Sequence, residues 1–137
     1  IDTDILQKLV KKNVFIGLSL YPYHLKNLGD CTIEDFCEMI KELVNLIGED
    51  NIGIGSDLCL NWPDDVVMWM RNGKWTKNID YGESKDKNPK WPKLPSWYKQ
   101  PSDLNNLFYL MCENNIPEKV STKIIGQNWF NFMKNQF

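Results

Sequence analysis

Apolar positions in this chain come in two kinds of run, and the difference between them separates strands from helices. Residues 14–20 (VFIGLSL) and the stretch Asn51-Ile52-Gly53-Ile54-Gly55-Ser56-Asp57 are short, carry β-branched residues and show no polar alternation. Such runs read as strands buried on both faces, the kind found in parallel sheets. Glycine breaks the first at Gly17, and Gly53 and Gly55 strip one face of the second, so another group must approach that backbone closely.

From Thr32 onward the period lengthens. Ile33, Phe36, Cys37, Ile40, Leu43, Val44 and Ile47 recur at steps of three and four, with Glu34, Glu38, Lys41, Glu42 and Asn45 between them. This pattern predicts an amphipathic helix whose stripe is core. Thr32 and Asp35 stand at capping-box spacing, with Asp in place of the usual Glu or Gln, and Gly48 occupies the preferred stop position. Residues 14–57 therefore spell strand, loop, helix, strand. That is a βαβ unit with parallel strands and a right-handed crossover.

Other elements flank the unit. A helix over residues 2–12, capped by Asp2 or Thr3 and ended by Asn13, places Ile5, Leu6, Leu9 and Val10 on one face. Pro63 opens a short helix carrying Val66, Val67, Trp69 and Met70. Residues 72–101 hold Gly73, Gly82, Pro89, Pro92, Pro95 and Pro101 among Trp75, Trp91 and Trp97, which predicts a long ordered loop. Its aromatics, Tyr98 included, have two readings: a partner surface or pocket wall, or packing onto the parent domain. Ser102 caps a helix over 103–114, Pro117 begins another that Gly126 breaks, and residues 127–137 form a last helix with Trp129, Phe130, Phe132 and Met133.

Composition narrows the function classes. Of 137 residues, 42% are hydrophobic and 25% charged, which marks an ordered globular chain. A net charge of -2 with no basic stripe excludes an electrostatic nucleic-acid binder. No apolar run approaches the roughly 20 residues of a membrane span. Cys31, Cys37, Cys59 and Cys112 form no C-x-x-C pair, and His24 is the one histidine, so no Cys/His zinc pattern is present. Buried free thiols are the simpler reading and favour a reducing, cytoplasmic compartment.

Two strands fall far short of a closed barrel, and strands buried on both faces need further neighbours. The expectation is that residues 1–137 form one region, the C-terminal portion of a larger α/β domain. Alone, the chain should expose apolar surface and self-associate, as a homodimer for example. Asp57 ends the second strand, where working residues of an α/β barrel sit; the alternative is that it caps the next helix or turn.

Taken together, VFIGLSLYPYHL, CTIEDFCEMI, NIGIGSDL, WMRNGKWT, DYGE, WPKLPSWY and the closing IIGQNWFNF resemble the renal (membrane) dipeptidase family, in a bacterial form, over essentially the whole chain. The resemblance implies a (β/α)8 TIM-type barrel that hydrolyses dipeptides with two zinc ions bridged by a carboxylate and a water or hydroxide. It implies that Asp57, matching the family's G-[GS]-D motif, moves protons and holds the substrate's amino end, and that Tyr21 lines the pocket. The zinc ligands implied, an H-x-D pair, a bridging Glu and two histidines, have no counterparts here, so the chain alone should be inactive. Arg71 does not match the family's substrate-gripping arginine. Leu58-Cys59 stands where many relatives read Phe-Asp-Gly, which alters the pocket wall. Relatives are often dimers. The rival function is a non-catalytic binding or assembly module using Trp75, Trp91, Trp97 and Tyr98.

Overall fold

The apolar stripe that begins at Ile33 does form one face of a helix, and the rest of the core gathers against it. In the computed structural model, which describes residues 3–12, 14–71 and 90–136, the chain builds α1 (Thr3–Val10), β1 (Ile16–Ser19), α2 (Ile33–Ile47), β2 (Ile52–Gly55), α3 (Asp64–Arg71), α4 (Asp103–Glu113), α5 (Glu118–Thr122) and α6 (Asn128–Gln136). The predicted cap at Asp2, the stop at Asn13, and residues 72–89 of the predicted loop, with Trp75 and the DYGE block, lie outside the described residues.

The chain divides into two compact units, Ile1–Leu58 with Leu94–Phe137, and Cys59–Lys93. In the smaller unit α3 buries Val67, and the Trp91 indole donates to the Trp62 carbonyl at 2.9 Å. The larger unit carries the sheet and the apolar core.

In that unit α2 starts as its sequence requires. Thr32 Oγ1 accepts the Asp35 amide at 3.1 Å, and Gly48 closes the far end at a positive φ of 81°. The predicted capping box is only half made. The Asp35 carboxylate, one methylene shorter than Glu, turns instead to Lys26 at 2.5 Å and Asn27 at 3.2 Å. Phe36, Cys37 and Ile40 are fully buried among Leu20, Ile52, Leu107, Met111 and Ile124, each large side chain stabilising the fold by roughly 1.5–3 kcal/mol.

β1 and β2 pair in parallel, Ile16 against Ile52 and Gly17 against Gly53. Leu20 N donates to Gly55 O at 3.1 Å, so Gly55, and with it Gly53, faces β1. Neighbouring residues of a strand bond to opposite sides, so Ile52 and Ile54 direct their carbonyls to the outer edge of β2. Two side chains of α6 take them. Asn128 Nδ2 donates to Ile52 O at 2.8 Å and to Glu49 O at 2.7 Å, and Trp129 Nε1 donates to Ile54 O at 2.8 Å. Along the outer edge of β1, at Gly17 and Ser19, no backbone partner stands among the described residues.

The close approach predicted at the glycine-bared face is made by Trp129 and Phe15. A Cβ on Gly53 would lie 2.5 Å from Trp129 Nε1 and 2.6 Å from Phe15 Cζ, and one on Gly17 would lie 3.4 Å from Trp129 Cζ2. Phe15 packs on Trp129 and Phe132 at centroid distances of 4.5 and 5.1 Å.

Three local expectations are corrected. Gly126 does not break the helix; α5 runs through a π turn at Lys123–Gln127 into α6. Ser102 makes no capping bond, because its backbone is already helical. Of the four apolar residues on the last helix, Trp129 and Phe132 pack inward while Phe130 and Met133 are exposed.

Gly53→Ala is expected to destabilise the protein by about 1–3 kcal/mol in urea unfolding, because two aromatic rings must shift. Gly55→Ala, whose Cβ would meet the Gly17 backbone at 3.6 Å, should stay within about 1 kcal/mol of wild type.

Candidate functional site at the carboxyl ends of the strands

Because the two strands are parallel, their carboxyl ends open on the same side, and their last paired rung is Ser19 against Gly55. Tyr21 and Asp57 each follow that rung by two residues.

After β1 the chain folds back on itself. Pro22 opens a 3-10 turn, Pro22–His24, whose φ it presets, and the His24 amide donates to Tyr21 O at 2.8 Å. Ser19 Oγ accepts the Tyr21 amide at 3.1 Å and lies 3.0 Å from His24 Nδ1. The half-buried Tyr21 ring stands 5.4 Å from the imidazole, edge-on, and 5.6 Å from Tyr23.

At the end of β2, Ser56 shares a hydrogen bond with Tyr98. Burial pushes the Tyr98 hydroxyl pKa above its usual value, and the Ser56 contact pulls the other way. Asp57 follows in the left-handed region, at φ 47°, a conformation Asp tolerates better than most side chains. Its carboxylate is exposed and has no hydrogen-bond partner among the described residues. It caps no helix, since α3 begins at Asp64. The carboxylate thus stands ready to meet solvent or a ligand at the end of the strand.

Trp97 and Tyr98 do not form an exposed partner surface. Tyr98 is 1% exposed, and the Trp97 indole donates to Cys31 O at 2.9 Å with its ring 4.8 Å from Phe36. Tyr98 belongs to the core, and Trp97 packs against it. Their segment is tied down by Asp103, whose carboxylate accepts the Lys99 amide at 2.8 Å and the Gln100 amide at 3.1 Å.

Asp57 was picked out by its place at a strand end, and Tyr21 by the family resemblance. Ser19, His24 and Ser56 were not, although Pro22 after a strand signals a turn that brings His24 back to Ser19; Tyr98 was read as part of a partner surface or pocket wall, not as the partner of Ser56. No group of three His, Cys, Asp or Glu side chains able to hold a metal occurs among the described residues. No helix among them is long and apolar enough to cross a membrane. Cys31 and Cys37 are buried free thiols, while Cys59 is exposed.

No protein-family model and no curated protein matches the sequence. A crystal structure of an amidohydrolase from Pseudomonas aeruginosa does match, with a TM-score of 0.76 and 28% identity over 93% of this chain. The chain is similar to an amidohydrolase. It spans 37% of the length of that protein, and the similarity takes in the mixed α/β arrangement of two parallel strands and several helices.

The Asp103 tie gives a pH dependence of known sign. The Lys99 amide, followed by Gln100, holds the Asp103 pKa below its ordinary value of 3.8. The stabilisation is therefore complete above that value and is lost as pH falls through the lower folded-state pKa. Asp103→Asn should lower the melting temperature at about pH 7 and narrow the difference from wild type by about pH 3, read by circular dichroism.

Proposed function

We propose that this chain is part of a hydrolase that cleaves the peptide bond of dipeptides, a zinc-dependent dipeptidase, to which it contributes the carboxylate of Asp57 and the ring of Tyr21. The similarity to an amidohydrolase at 28% identity carries the hydrolase part of this reading. The sequence blocks around VFIGLSLYPYHL and NIGIGSDL support the dipeptidase part. A (β/α)8 barrel, the fold those blocks imply, gathers strand ends at one mouth, as Tyr21 and Asp57 require.

The described residues do not fit a pair of zinc ions. His24 is the one histidine, its Nδ1 stands against Ser19, and no three-ligand group is present among them. The steps assigned to this chain are accordingly those of its own groups.

As the attacking water adds to the scissile carbonyl carbon, the Asp57 carboxylate takes its proton. The resulting carboxylic acid then gives that proton to the amide nitrogen as the C–N bond breaks, and the free amine leaves. General acid–base help of this kind contributes about 10²- to 10⁴-fold. The exposed position and unengaged oxygens of Asp57 suit both transfers. Tyr21 forms a wall beside the substrate.

The test is hydrolysis of L-alanyl-L-alanine by zinc-supplemented protein made from the complete reading frame that carries this chain, beside the 137-residue chain alone. Expected is turnover by the former, reduced about 10²- to 10⁴-fold by Asp57→Asn with an unchanged melting temperature, and none by the latter. Asn also accepts the left-handed backbone, so the substitution adds no strain. Full activity in Asp57→Asn would remove Asp57 from the mechanism, and a wild type inert toward dipeptides would sink the dipeptidase reading.

A further inference from the structure

Tyr21 is held at both ends of its own backbone. Its amide donates to Ser19 Oγ and its carbonyl accepts the His24 amide, while His24 Nδ1 returns to within 3.0 Å of the same Ser19 oxygen. The imidazole also meets the Tyr21 ring edge-on. A residue leaving a strand into a short turn ordinarily chooses among several backbone and rotamer states. Here one hydroxyl, one imidazole and the ring of Pro22 remove that choice. His24 is exposed, and yet its nitrogen is directed at Ser19. The closed circuit of Ser19, Tyr21 and His24 lies at the end of the strand that pairs with β2, whose own end carries Asp57.

We propose that His24, acting through Ser19, is a positioning residue that fixes Tyr21 against bound substrate and thereby sets how tightly the site grips a dipeptide. The proposal rests on the hydrolase reading above. Tyr21 itself contacts the substrate; Ser19 and His24 hold it in register, so their loss weakens binding and leaves the chemical step at Asp57 in place. Positioning of this kind is sensitive to small displacements.

Two measurements on the complete protein test it. With L-alanyl-L-alanine, Ser19→Ala and His24→Ala should each raise KM about tenfold, the cost of about one hydrogen bond, with kcat within about twofold of wild type and the melting temperature unchanged. His24→Asn, whose amide oxygen can accept the Ser19 hydroxyl, should recover most of the loss. A fall in kcat at unchanged KM, or a loss of melting temperature that tracks the loss of activity, would overturn the proposal in favour of a general structural role.

The second measurement needs no turnover. In nitrogen NMR of the complete protein, the ring nitrogens of His24 are assigned as the signals that disappear in His24→Asn. The Nδ1 signal should move on Ser19→Ala, and again when L-alanyl-L-alanine is added to the Asp57→Asn protein. A signal indifferent to Ser19→Ala, or to the dipeptide, refutes the proposal. If the wild type hydrolyses nothing while the dipeptide still moves the signal, the hydrolytic reading fails and the positioning of Tyr21 against a bound dipeptide stands.

Discussion

The indole of Trp129 lying across Gly17 and Gly53 is the contact on which the strand arrangement depends. A two-stranded sheet has little stability of its own, and these strands are four residues each. Their register sets glycine opposite glycine, and the ring lies so close over Gly53 that a Cβ there would stand 2.5 Å from Trp129 Nε1. The same residue and its neighbour Asn128 then take three backbone carbonyls, of Glu49, Ile52 and Ile54. Apolar fit and hydrogen bonding thus act at one place. A buried carbonyl left without a donor would cost about 1–3 kcal/mol, so the two side chains maintain the edge as well as cover the face.

The helix that brings Trp129 there has to be out of step with an ordinary α-helix. Val120 and Ser121 before the π turn and Ile124 within it face the core, while Asn128 and Trp129 beyond it face the strand edge. The one extra residue of the π turn rotates the second half to that bearing. Lys123, at its start, pairs with Glu49 and with Asp50, the second at 2.6 Å, and these acids raise its pKa. The turn is anchored to the segment that leads into β2. Gly126 bears no contact that a side chain would disturb, and it costs the helix about 1 kcal/mol without ending it.

The βαβ unit was legible because it is local. Thr32, the stripe from Ile33 to Ile47, and Gly48 specify α2 without help, and two glycine-broken apolar runs specify parallel strands around it. The need for a close neighbour at Gly53 could be read from the sequence; the identity of that neighbour could not, since Trp129 is 75 residues from the carbonyl it bonds. Periodicity placed Phe130 and Met133 with Trp129, because the π turn that shifts the face leaves no mark in the pattern of apolar residues. Ser102 looked like a cap by residue type alone, whereas the geometry favours the Asp103 carboxylate over the Lys99 and Gln100 amides. At the site, strand-end position singled out Asp57, and the family resemblance added Tyr21. The hydroxyl partners Ser19 and Tyr98 became visible only once the turn and the return of the chain from Leu94 were in place.

The two rims of the sheet are unlike, and this gives the fold a polarity. Among the described residues, the backbone beside Gly17 and Ser19 is open to a further strand, whereas beside Ile52 and Ile54 an amide and an indole are already seated. Accretion is therefore directional. A strand added beyond β2 would have to displace Asn128 and Trp129 from the carbonyls they hold, whereas one added beside β1 would displace neither.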